Sequence, residues 1–205
     1  MKLLVMVQSS LKPPYDKNME AQKETWDSIK VDNVDTHYYI CDEYNKMHWV
    51  FKLALDEVWD MDWDYIFRTN ASTYVRKERI YNHLLRLTKN KPLKGLYAGV
   101  IGGEMISGTG ILLSRDTAKM LKDQLDPYPT DSEDCCIGTI LGKNGIIPQG
   151  ELNRLAFNFQ EDRILDADYY RCKSEIMMNG EFGYDNLDRS YDIKAFKALQ
   201  RYCYP

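Results

Sequence analysis

The chain has 205 residues, 44% of them hydrophobic, enough to bury one substantial core. Its 27 Lys and Arg against 31 Asp and Glu leave a formal net charge of -4, so it lacks the basic footprint of a nucleic-acid or anionic-membrane binder, and any anionic ligand must meet local charge. The opening run LLVMV is too short for a signal-peptide core, and no later run is long enough to span a bilayer. The cysteines Cys41, Cys135, Cys136, Cys172 and Cys203 form no CxxC pair and are odd in number, which leads us to expect a cytoplasmic chain with reduced thiols and no structural zinc.

In chain order, LLVMV (3–7) and HYYIC (37–41) are short, β-rich apolar runs of the kind that form parallel strands covered on both faces. Between them NMEAQKETWDSI (18–29) predicts a helix, with Met19, Gln22, Trp26 and Ile29 on one stripe. A second helix is predicted over 46–59, placing Trp49, Leu53 and Val58 with Phe51 and Leu55 around an apolar face. The strand YIFR (65–68) follows and runs into a polar loop, Asn70-Ala71-Ser72. Next come a helix at 78–87, a strand at 96–101, and a strand at 110–114 whose preceding glycines, Gly108 among them, read on their own as a tight turn. Helices at 115–125 and 133–144 are separated by the Pro-rich DPYPTDS. Beyond residue 158 the pattern fades, MMNGEFGYDNLDRS (177–190) reads as a loop of lid type, and a last helix covers 191–204. The expectation is an α/β fold in one domain, 1–205, with a mixed, mainly parallel central sheet flanked by helices.

Ligands of open α/β sheets bind beyond the carboxyl ends of the strands, here Gln8 to Ser10, Cys41 to Tyr44, Thr69 to Ser72 and Gly102 to Gly103. The segment DSEDCCIG crowds Asp131, Glu133 and Asp134 at the start of a helix. A cap explains one carboxylate, by Asp131 or with Ser132 in its place. Three crowded together raise the pKa of at least one, as a general base for a hydroxyl requires. YYRCKS offers Arg171, Lys173 and Ser174, two cations and a hydroxyl suited to a diphosphate, although an ordinary exposed strand would look the same.

Taken together, five stretches resemble the glycosyltransferase group that includes fringe and the β-1,3-galactosyltransferases, with small viral or bacterial relatives of the same GT-A fold. They are EAQKETW (20–26), FKLALDEVWDMDWDYIFRTNASTYV (51–75), ISGTGILLSRDTAKML (106–121), SEDCCIGTIL (132–141) and YYRCKS (169–174), in the family's order. The resemblance implies transfer of a sugar from a nucleotide-diphosphate donor, a UDP-sugar, to a hydroxyl of a glycan acceptor, by inversion rather than retention. Asp134 would be the base, with Glu133 beside it. Gln8, Ser9, Asp42, Arg68, Asn70, Ser72, Arg171 and Lys173 would meet the donor, and Gly108 and Asp131 the transferred sugar or acceptor. It also implies a nucleotide-binding half at 1–100, an acceptor and catalytic half at 101–160, and a phosphate-binding C-terminal segment at 161–205.

The sequence departs from the family in two places: the acidic positions of the metal motif are Asn70, Ala71 and Ser72, and the terminal His position is Tyr169 or Tyr170. A divalent metal, Mn²⁺ or Mg²⁺, would then be held weakly, by Ser72 and Asn70 with water and the phosphates, or Arg171 and Lys173 would take over part of its work. The alternative from another class is a catalytically inactive nucleotide-sugar or glycan binding module of the same fold.

Overall fold

Alternate residues of the first strand, β1 (Leu3–Ser9), feed two different cores. Leu3, Val5 and Val7 point into one and Leu4 and Met6 into the other, because successive side chains of a strand leave opposite faces. A strand buried throughout must have neighbours on both edges, and β1 pairs in parallel with β2 (Val34–Ile40) on one side and β3 (Tyr65–Asn70) on the other. The computed structural model describes residues 1–43, 46–89, 93–126, 132–156, 167–172 and 190–205.

The five-stranded sheet is completed by β5 (Tyr97–Gly102) and β6 (Met105–Ser114), giving the order β2-β1-β3-β6-β5. β6 alone runs against the others, pairing antiparallel with both β3 and β5. One face is covered by α1 (Tyr15–Glu24), α3 (Lys77–Thr88) and α6 (Ser190–Cys203), which supply Ala21, Leu84 and Phe196 to the first core. The other is covered by α2 (Met47–Val58), α4 (Arg115–Gln124) and α5 (Glu133–Lys143), which supply Phe51, Leu121 and Ile137 to the second. A mixed, mostly parallel sheet between helical layers is the expected fold class. Among the described residues no helix is long and apolar enough to cross a membrane.

Beside the ligand end of this sheet lies a three-stranded one, in which β8 (Tyr169–Arg171) pairs antiparallel with β4 (Thr73–Val75) and parallel with β7 (Arg154–Ala156). The sequence reading missed β4 and β7, since three residues carry no measurable alternation. It also placed a turn at Gly108, whereas β6 begins at Met105 and runs through Gly108 and Gly110. The chain reverses earlier, where Gly103 adopts a left-handed φ of 74°. Gly110 serves close approach: a Cβ there would lie 2.6 Å from Tyr169 Cζ and 2.8 Å from Phe67 Cζ. The first helix stops at Glu24, and Trp26 is buried instead in a short 3-10 turn, Trp26–Ser28. Asp131, Lys173 and the lid-type loop up to residue 189 lie outside the described residues.

The Phe67 and Tyr169 rings meet edge to face, with centroids 5.5 Å apart, and both are fully buried. Gly110→Ala therefore wedges a methyl group between rings that cannot swing into solvent. It should cost ~1–3 kcal/mol in denaturant unfolding, the usual penalty of overpacking. A midpoint equal to wild type would show that β8 is not held by this contact.

Candidate functional site

The carboxyl ends of β1, β2 and β3 open on a cavity of about 330 Å³. Gln8, Ser9, Asp42, Asn70 and Ser72, named from the sequence as donor residues, all line it, because parallel strands deliver their following loops to one edge of the sheet. Lys12, on the loop after β1, lines it too and was not foreseen. The Ser9 hydroxyl is buried and, among the described residues, without a hydrogen-bond partner, so it can serve a ligand without giving anything up. Asp42 accepts from the Ser10 hydroxyl at 2.5 Å and the Leu11 amide at 3.0 Å, and the Ser10 bond is the main reason its carboxyl is held below the ordinary range.

The loop Asn70-Ala71-Ser72 is closed on itself. Asn70 Oδ1 accepts from the Ser72 amide at 3.1 Å, the Ser72 hydroxyl at 2.9 Å and the Thr73 hydroxyl at 3.1 Å. From below, Gln22 Nε2 donates to the Asn70 and Thr73 carbonyls at 3.2 and 2.9 Å, so α1 fixes the loop's path. These contacts engage within the loop the Asn70 oxygen that the resemblance offers, with Ser72, to a weakly held metal. An amide oxygen with three donors has no lone pair left to give, the Ala71 side chain has no donor atom, and Ser72 is neutral, so the loop's side chains offer a cation no charge. Among the described residues no group of three His, Cys, Asp or Glu could hold a metal ion. Tyr169 and Tyr170, at the terminal His position of the resemblance, are buried aromatic residues of the core. The residues present do not fit the divalent ion that the resemblance implies.

Arg68 also departs from expectation. Its side chain, 2% exposed, turns away from solvent and donates to Gln8 Oε1, Glu133 Oε2, the Gly108 carbonyl and, at 3.2 Å, the Tyr39 hydroxyl. It thus ties β1, β2, β6 and α5 to β3 through four of its five N–H donors. Glu133 is its ion-pair partner and is equally buried, so it does not face the cavity as a second catalytic carboxylate.

The neighbouring carboxylates of α5 are driven apart. Burial raises the Glu133 carboxyl to about 7, against the pull of Arg68 and with help from the charge of Asp134. Asp134 is half-buried, and burial alone would raise it too. Hydrogen bonds from the Ser132 hydroxyl at 2.6 Å and the Gly108 amide at 3.2 Å outweigh that and hold it below its ordinary value. Ser132 occupies the N-cap position, yet its hydroxyl serves Asp134 instead of the helix amides. Gly108 is the hinge of the arrangement: its amide holds Asp134 and its carbonyl holds Arg68.

Arg171 pairs with Thr73 across β8 and β4, and the following Cys172 amide bonds the Ser72 carbonyl at 2.8 Å, so Arg171 stands beside the loop. On the neighbouring strand Arg154 Nη1 donates to the Ser107 and Thr109 hydroxyls at 2.9 and 3.0 Å. The sequence reading missed Arg154: a lone arginine in ELNRLAF has no pattern around it, and only the pairing of β7 with β8 brings it to the glycine strand.

Two measurements check the Arg68–Glu133 assignment. Arg68→Met removes the hydrogen bonds to Gln8, Gly108 and Glu133 and leaves buried acceptors unsatisfied, which should cost ~1–3 kcal/mol of stability, while Glu133 stays protonated to a still higher pH. The folded state keeps a proton on Glu133 up to about 7, while the unfolded chain releases it near 4.5. Stability from this group is therefore fully present below pH 4.5 and lost as pH rises to 7. Glu133→Gln should remove that slope, and parallel stability–pH curves for the two proteins would refute the burial of a titrating Glu133.

No protein-family model matches the chain, and no curated protein matches it in sequence. Among solved structures it is similar to a glycosyltransferase involved in the glycosylation of the major capsid of PBCV-1, with a TM-score of 0.64 at 10% identity, covering 97% of this chain and 100% of that one. A197 from STIV aligns with a TM-score of 0.44 at 11% identity, covering 75% of this chain and 84% of that one. The first likeness extends over nearly the whole of both chains, and the present chain has the α/β fold of that viral glycosyltransferase.

Proposed function

We propose that the chain is a glycosyltransferase that moves a sugar from a nucleotide-diphosphate donor, by resemblance a UDP-sugar, to a hydroxyl of a glycan. The observation that carries the reading is an ionised, half-buried carboxylate, Asp134, linked through Gly108 to Asn70 in the wall of the strand-end cavity, on a fold shared with the PBCV-1 enzyme. Ser9 and Asp42 meet the nucleoside with their hydrogen bonds, and Asn70 and Ser72 stand at the diphosphate end with Arg171 beside them. Lys173, two residues on, would add a second cation there.

Asp134 takes the proton from the acceptor hydroxyl as its oxygen bonds to the anomeric carbon. The bond from that carbon to the diphosphate breaks with its electron pair, and nucleoside diphosphate leaves. Attack from the face opposite the leaving group inverts the anomeric centre. A carboxylate already ionised at neutral pH is ready for this role, whereas Glu133 is partly protonated and engaged with Arg68. A binding module would have the same cavity but no use for the precisely held Asp134.

Asp134→Asn preserves shape and hydrogen bonding while removing basicity, so transfer should fall ~10²-fold or more with donor affinity changed only a few fold. The pH–rate profile identifies the base independently. With Asp134 in the role, activity persists on acidification to below the ordinary carboxylate value of 3.8; with Glu133, the acid limb appears near 7. Donor binding with no turnover in wild type across a panel of acceptors would favour the module.

A further inference from the structure

The loop that should carry a metal has no charged ligand, yet a diphosphate leaving group still needs positive charge. Arg154 reaches the strand that borders this loop. Its guanidinium is anchored by two neutral hydroxyls, Ser107 and Thr109, and among the described residues no carboxylate pairs with it. Thr109 connects it to the loop: its carbonyl accepts from the Thr69 hydroxyl at 2.8 Å and, more weakly, from the Thr73 hydroxyl at 3.4 Å. Ser107 and Thr109 flank Gly108, which bears on Asp134 and whose carbonyl also receives Asn70 Nδ2 at 3.4 Å. The cation, the loop and the proposed base are thus joined through three consecutive residues of β6. On the three-stranded sheet Arg154 is in register with Tyr169, two residues from Arg171, so strand alternation sets both arginines on the same face. Lys12 lines the cavity, its Nζ donating to the Asp42 carbonyl at 3.0 Å.

We infer that this chain binds the diphosphate of its donor without a divalent cation, Arg154 supplying the charge with Arg171 and Lys12 around it. A guanidinium can pair two phosphate oxygens at once, and as the glycosidic bond breaks it stabilises the charge that develops on the departing phosphate. Among the described residues this guanidinium has only neutral partners and no competing anion to release first. The inference rests on the nucleotide-diphosphate reading above.

The test is calorimetric titration of the full chain with UDP and with uridine, in EDTA and in Mn²⁺. In wild type, UDP affinity should agree within about threefold between the two conditions. Arg154→Gln should weaken UDP about tenfold or more and leave uridine within about twofold, with Arg154→Lys intermediate. Melting curves verify that the variants fold, and the wild-type comparison needs no variant. N70D/S72D should acquire what wild type lacks, binding UDP more tightly in Mn²⁺ than in EDTA. Binding of UDP by wild type only when Mn²⁺ is present overturns the inference and leaves the donor reading standing, as does an Arg154→Gln chain with unchanged UDP affinity. Failure of UDP to bind in either condition overturns both.

Discussion

One buried guanidinium organises the ligand end of this molecule. Arg68 sits on the central β3 strand and spends its donors on groups from β1, β2, β6 and α5. A charge so placed is tolerable only because a carboxylate and several hydrogen-bond acceptors replace the water it has lost. Each partner is thereby fixed: Gln8 at the cavity wall, Gly108 on the glycine strand, and the first turn of α5. Asp134 follows Glu133 in that turn, so its position relative to the cavity descends directly from the Arg68–Glu133 pair.

The same burial sets the chemistry of the two acidic neighbours. Adjacent in sequence, they have opposite protonation tendencies, because one is dehydrated and the other receives donors from Ser132 and Gly108. Helix geometry turns successive residues about 100° apart, so one can enter the interior while the next stays at the rim. Environment, not residue type, separates their roles.

The neutral 70–72 loop is likewise a matter of local bonding. Asn70 closes a small polar ring with Ser72 and Thr73, and Gln22 holds it from the side of α1. A loop with three carboxylates would need a cation to stay folded, since like charges at such spacing repel. With neutral groups it holds its shape unaided.

The sequence by itself determined the α/β class, the order of the main strands and helices, and which strand ends face a ligand. These follow from short-range periodicity: LLVMV is short and β-rich, as a strand covered on both faces is, and Phe51, Leu55 and Val58 recur at helical spacing and are buried, whereas Leu53, expected on the same face, is 47% exposed. Gln8, Ser9, Asp42, Asn70 and Ser72 were legible for the same reason, since position at a strand's end implies position in the cavity. Tertiary structure alone decided what depends on contacts between distant residues. That Arg68 would turn inward to Glu133, 65 positions away, leaves no local trace, because a strand residue is free to face either side. That Arg154 would meet Ser107 and Thr109 depends on two three-residue strands whose pairing is set by packing and not by pattern. Periodicity encodes the faces of elements, while the partners of buried charges are chosen by where the folded chain can best replace their water.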